Sequence, residues 1–170
     1  MDESAFYLLP FTGKTYSPRG ETPVLNHKLS REHLSVVSGI SEEGGMYVQL
    51  HDKSINGQGS VEFLRHLLTH ISGKILVVWD GAIIHRCEKV KEFLLKESGG
   101  RLHLESLPGY SPDLNPAEGV WRYLKCVHLK NICCKGIKEL KEVLRKAIRL
   151  FRSRKYLIKA CFRQVGYVYL

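Results

Sequence analysis

Asp2, Asp80 and Glu118 are the residues whose types and positions could do chemistry together. Asp80 directly follows Ile75-Leu-Val-Val-Trp79, a short apolar run that predicts a strand. It therefore sits at a strand's carboxyl end, where open α/β sheets place their ligand sites. Asp2 lies in an opening segment of strand character, and Glu118 lies in the first turn of a helix opened by Asn115-Pro116. If that helix packs beside the two strands, the three carboxylates converge. Converging carboxylates repel one another unless a cation neutralises them. Oxygen donors of this kind select Mg²⁺ or Mn²⁺ over softer metals. Two such ions held about 3.5–4 Å apart suit in-line phosphoryl transfer, one activating the attacking hydroxyl and the other stabilising the leaving oxygen.

Each acid also has a plainer reading. Asp80-Gly81 can be a simple turn after a strand. Asn115-x-x-Glu118 has the form of a capping box, in which the glutamate only completes the cap. An acidic residue near the amino terminus, such as Asp2, is usually solvated. His85, five positions after Asp80, could orient a phosphate or a carboxylate, or lie on the surface. Arg122 and Lys125 follow Glu118 by four and seven positions. They share its helix face, where they either contact a DNA backbone or are solvated. Tyr110 and Trp121 read as packing residues rather than as platforms for base stacking.

The elements that must position these side chains follow from the apolar pattern. Residues 2–9 read as a strand stopped by Pro10, and residues 12–23, rich in Gly, Pro and Thr, as turns around a short strand. Residues 33–40 and 46–50 read as two strands joined by the polar turn Ser41-Glu-Glu-Gly-Gly. A helix begins at Ser60 and ends at Gly73-Lys74. The run 75–79 reads as a strand buried on both faces. A helix over 86–97, a strand over 102–107, the Asn115-Pro116 helix and a last helix over about 137–153 complete the order. In the Asn115-Pro116 helix, Asn115 suits the N-cap and Pro116 the first turn. Antiparallel strands followed by β-α-β crossovers predict an α/β mixed sheet flanked by helices. This is the order of a ribonuclease-H-like fold.

At 170 residues, 44% of them hydrophobic and 25% charged, the chain suits one domain with a sizeable core. No apolar run reaches the roughly 18–20 residues of a membrane helix, and no export signal opens the chain. The sequence therefore reads as soluble, cytoplasmic and without a membrane partner. Five irregularly spaced cysteines speak for reduced thiols rather than a disulfide framework. His128, Cys133 and Cys134 lack the C-x-x-C spacing of a zinc knuckle. The net charge of +9 is unevenly placed. Residues 1–130 hold 15 basic and 15 acidic residues, whereas 131–170 hold 11 basic and 2 acidic. We therefore divide the chain into a core, 1–130, and a basic helical segment, 131–170, packed on it. A neutral body with a basic end is the charge layout of a polyanion binder, although a solvated basic helix face has the same composition.

The segment Leu107-Pro-Gly-Tyr-Ser-Pro-Asp-Leu-Asn-Pro-Ala-Glu-Gly-Val-Trp121-Arg-Tyr-Leu-Lys125 resembles the third-acid signature of the mariner-like superfamily of DDE transposases, in particular its bacterial insertion-sequence branch. Val77-Val-Trp-Asp80-Gly-Ala-Ile-Ile-His85-Arg resembles that family's second-aspartate motif. Asp2-Glu-Ser-Ala-Phe6, with Pro18-Arg-Gly-Glu-Thr-Pro23, resembles its first-aspartate region. Together these cover the chain from Asp2 to about Lys125.

The resemblance implies that Asp2, Asp80 and Glu118 are the catalytic, metal-binding triad. It implies Mg²⁺-dependent cleavage of transposon ends and strand transfer into target DNA, usually at TA, by a homodimer on DNA. It implies supporting roles for His85 and Asn115 and DNA contacts by Arg122 and Lys125. Asp80 and Glu118 stand 38 positions apart, as in a compact core without an inserted domain. Gly81 and Ala117 replace residues frequent in the family. Relatives carry helix-turn-helix modules ahead of the catalytic domain, and here the sequence starts one residue before Asp2. This leads us to expect a shortened first strand and a separately encoded helix-turn-helix half. The competing expectations are an inactive remnant or split subunit that binds DNA, and a resolvase-like nuclease of the same fold.

Overall fold

The computed structural model describes residues 1–27 and 30–167. Three antiparallel strands, β1 (Asp2–Tyr7), β2 (His33–Ile40) and β3 (Met46–His51), lie in the order β1-β2-β3. In their register Asp2 faces Ser38 and Ile40 faces Met46. After helix α1 (Gly57–His70) come β4 (Ile75–Trp79), helix α2 (Glu88–Lys96) and β5 (Leu102–Ser106). β4 and β5 pair in parallel, Ile75 opposite Leu102. Helix α3 (Pro116–Tyr123) runs into a π-helical turn, Leu124–His128. Helices α4 (Ile137–Ser153) and α5 (Lys155–Gln164) follow.

The strands predicted at 33–40, 75–79 and 102–107 and the helices predicted at 116 and 137–153 stand within a residue or so of their predicted bounds. The strands of the expected α/β mixed sheet form two ladders, one antiparallel and one parallel. The ladders meet where the Met1 ammonium donates to the Val78 carbonyl at 2.7 Å. Met1 is therefore level with the penultimate residue of β4. Among the described residues β1 and β4 form no ladder with each other. No strand forms in 12–23; Phe11 makes one isolated bridge to Lys130.

Helix α1 starts three residues earlier than the apolar pattern predicts. Asn56 caps it, its side chain accepting from the Gln58 and Gly59 N–H groups. The two glycines in that first turn, poor helix formers, conceal the start in the sequence. α5 is a separate helix that the basic run after Phe151 conceals.

Two apolar layers sandwich the three-stranded sheet. One joins Phe6, Leu34 and Val36 to Val120, Trp121 and Leu124 of the α3 region, and to Leu144 and Phe151 of α4. The other joins Val37 to Val61, Phe63 and Leu64 of α1, Val77 and Trp79 of β4 and Phe93 of α2. β2 is thus buried on both faces. β4 is not, against expectation. Val77 and Trp79 are enclosed by α1 and α2, whereas Leu76 is 61% exposed. Its outer face lines an apolar groove of about 530 Å³ with Met1, Gly39, Ile40 and Val78.

Candidate active site

The alternation of β1 sends neighbouring acids to opposite faces of the sheet. Asp2, Ser4 and Phe6 face α3. There the Trp121 indole N–H donates to Asp2 Oδ2 at 2.8 Å, and the Phe6 and Trp121 rings meet edge to face, centroids 6.0 Å apart. Oδ1 of Asp2 accepts from the Glu3 N–H at 2.9 Å. Asp2 is buried, not solvated, at 7% exposure. Burial pushes its carboxyl up to about 6; the Trp121 hydrogen bond opposes the rise, and the charge of Glu118 adds to it. Directly across the ladder, on the same face, the buried Ser38 hydroxyl has no hydrogen-bond partner among the described residues.

Glu118 stands in the first turn of α3, and its side chain is exposed. Asn115 caps the helix, its side-chain oxygen accepting from the Ala117 N–H at 3.1 Å. The reciprocal half of a capping box is absent, because the Asn115 N–H donates to the Pro112 carbonyl. The Glu118 carboxylate is therefore free of capping duty, and it acts electrostatically on Asp2 and on Lys125.

Asp80 does make a turn, its Oδ1 accepting from the Ala82 N–H at 3.0 Å. Its side chain nonetheless stays 50% exposed. His85 is buried rather than superficial, its ring stacked 4.1 Å from that of Trp79 and nearly parallel to it. Nδ1 of His85 lies 2.9 Å from Asp80 Oδ1 and 3.1 Å from the Asp80 carbonyl, while Nε2 lies 3.0 Å from Glu3 Oε1. Burial disfavours the imidazolium. The Glu3 hydrogen bond and charge, together with the Asp80 carbonyl and carboxylate, outweigh it and raise the pKa above the ordinary histidine value.

Lys125 turns inward. Its ammonium donates to Ser4 Oγ at 2.7 Å and lies 5.3 Å and 5.6 Å from the centres of the Phe6 and Phe11 rings. Burial lowers its pKa, with Glu118 and Asp2 opposing that shift. Arg122 stays exposed on α3.

The structure thus couples Asp2 to Glu118, and it gathers Asp2, Glu3 and Asp80 around the Met1 ammonium, whose pKa burial lowers while those charges oppose it. Among the described residues no three His, Cys, Asp or Glu side chains are close enough to hold one metal ion in common. Two contributors escaped the sequence reading. Glu3 could have been found from its place beside Asp2 on a strand. The polar end of Trp121 could have been found from its position three residues after Glu118, on the same face.

Three solved structures are similar in fold. A Mos1 strand transfer complex is 15% identical, with a TM-score of 0.63 over 99% of this chain and 54% of that one. A Mos1 mariner paired-end complex with Mn gives 15% and 0.63 over 99% and 55%. The catalytic domain of Mos1 mariner transposase gives 14% and 0.51 over 82% and 77%. At these identities the likeness establishes a shared ribonuclease-H-like α/β fold. The chain spans about half the length of the first two. None of the curated proteins matches it in sequence. Residues 1–141 match the profile of the family described as DDE superfamily endonuclease. A match over most of the chain, on the fold and with the acids just described, means that the protein belongs to the DDE superfamily of endonucleases.

Proposed function

We propose that the chain is the catalytic domain of a DNA transposase that cleaves transposon ends and transfers the strand into target DNA, with Asp2, Asp80 and Glu118 as its metal-bearing acids. The observation that carries this reading is the burial of Asp2 at the start of β1, with the uncapped Glu118 within electrostatic reach of it. A buried carboxyl is held up at about 6 beside a second carboxylate that nothing caps. Carboxylates within reach of one another favour a cation among them.

The donor set fits a hard divalent cation in kind, since every candidate ligand is a carboxylate oxygen. The partnerless Ser38 hydroxyl beside Asp2 is a further unsatisfied oxygen. A bound Mg²⁺ or Mn²⁺, in our reading two ions, supplies the Lewis acidity for in-line phosphoryl transfer. The chain's own residues hold and aim the ligands. Trp121 fixes one oxygen of Asp2, Asn115 fixes the start of α3 and so the root of Glu118, and His85 holds the Asp80 carbonyl and lies against one of its carboxylate oxygens. Glu118 and Asp80 are the exposed pair that must close onto buried Asp2.

We assign residues 1–130 to this core and 131–170 to a basic segment that engages the DNA backbone; 168–170 lie outside the described residues. Arg145, Lys146, Arg149 and Arg152 of α4 are exposed, as are Lys155, Lys159 and Arg163 of α5. Arg122 joins them in contacting DNA. Lys125 faces the acids and would meet DNA only at the scissile phosphate. A homodimer on DNA, a TA target and a separately encoded helix-turn-helix half complete the proposal.

The test is nicking of a DNA end that carries the terminal repeat, in Mn²⁺. Nicking that Asp80→Ala and Glu118→Ala each reduce by at least about a hundredfold supports the reading. Tight binding without nicking, unchanged by either substitution, overturns it in favour of a DNA-binding remnant.

A further inference from the structure

Glu3 has no part in the proposed metal site, yet its side chain is only 17% exposed and is spent on a single partner, His85. That histidine has no solvent access at its side chain and is clamped against Trp79. With the ring plane fixed, the freedom left to it is a half-turn about the Cβ–Cγ bond, which exchanges the ring's two edges. The contact of Nε2 with Glu3 Oε1 at 3.0 Å removes that freedom. The opposite nitrogen, Nδ1, is then hydrogen-bonded to the Asp80 carbonyl at 3.1 Å and lies 2.9 Å from Asp80 Oδ1 as an ion-pair contact. The same oxygen also accepts from the Ala82 N–H. Oδ1 is therefore engaged by one hydrogen bond and by the imidazole beside it, whereas Oδ2 takes no hydrogen bond from any described residue. A carboxylate with one oxygen tied and the other open is set to ligate in one direction.

We propose that Glu3 is a positioning residue. Through His85 it fixes which oxygen of Asp80 is presented to the metal, so that β1 supplies one ligand, Asp2, and by its very next residue orients another that is 78 positions from the first. The inference rests on the transposase reading. Among the described residues β1 and β4 share no ladder, and the side-chain chain Glu3–His85–Asp80 links them.

Binding of Mn²⁺ to the DNA-free protein, followed by titration calorimetry, tests this without recourse to activity. Glu3→Ala is expected to weaken Mn²⁺ binding about tenfold, the order seen when the partner of a ligating group is removed. In an Asp80→Asn background the same substitution is expected to change Mn²⁺ binding by less than about twofold, because the ligand it orients is already gone. Thermal melts run alongside; if Glu3→Ala does not fold, Glu3→Gln, equal in shape but uncharged, takes its place in the same cycle. Mn²⁺ affinity indifferent to Glu3, or lowered equally in both backgrounds, overturns the proposal and leaves Glu3 a structural link between the sheets. Absence of Mn²⁺ binding by the unsubstituted protein overturns the functional reading and this inference together.

Discussion

At the scale of single residues, the buried Asp2 carboxyl sets a pH dependence that can be measured. Its pKa is about 6 in the folded chain against 3.8 in the unfolded one. Between those values the folded state holds a proton that the unfolded state releases. The stabilisation is thus fully present below pH 3.8 and lost as the pH rises through about 6. The difference corresponds to about 3 kcal/mol at neutral pH. Asp2→Asn, which keeps an oxygen for the Trp121 N–H, is therefore expected to raise the melting temperature by roughly 5–10 °C at pH 8 in chelator. At pH 4 it is expected to have little effect, and equal gains at both pH values would contradict the assignment. A saturating divalent cation is expected to narrow the gain at pH 8. Trp121→Phe keeps the ring against Phe6 and removes the donor to Asp2 Oδ2. The carboxyl resonance of Asp2, followed by NMR, is expected to titrate at a still higher pH.

At the scale of elements, α3 matters most, because its first turn carries Glu118 and its buried face carries Trp121. Asn115→Ala removes the cap and is expected to cost about 1 kcal/mol in denaturant unfolding, and more if the buried Ala117 N–H stays unpaired. At Gly119 α3 comes close to α5. A Cβ there would meet Cys161 Sγ at 2.9 Å. Gly119→Ala should push the helix off its seat and reduce nicking without touching any acid. Phe151, wholly buried between α4 and the sheet, is expected to cost about 3–5 kcal/mol on truncation to Ala. A loss of that size would show that the basic helices share the core's stability and are not an appended tail. The helix bounds were legible where caps and apolar spacing agree, as at Asn115-Pro116 and at Ile137. They were not legible at α1, whose cap is followed by glycines, nor at the break before α5. There only the backbone turn at Arg154, its N–H donating to the Phe151 carbonyl, separates two helices.

At the scale of the whole molecule, charge is segregated: the neutral body carries the acids, and α4 and α5 carry exposed Lys and Arg. If these residues meet the phosphate backbone, DNA binding should weaken steeply with salt by release of counterions. Replacing Arg145, Lys146 and Arg149 by Gln is expected to reduce the slope of log K against log salt by about one for each phosphate no longer neutralised. A slope unchanged in that variant would remove α4 from the interface.

The sequence by itself singled out the candidate acids, because long motifs place Asp80 after an apolar strand and Glu118 after a helix cap, and local spacing decides where such residues stand. It determined the order of strands and helices for the same reason. Whether Asp2 is solvated or buried, whether Glu118 serves a cap, and which way His85 faces depend on contacts between segments far apart in the chain. Only the tertiary structure could decide them. It put Asp2 under Trp121, 119 positions away, and Glu3 against His85, 82 positions away. It also left Leu76 of β4 exposed, since which face of a strand is covered depends on the elements that pack there and not on the strand's own composition.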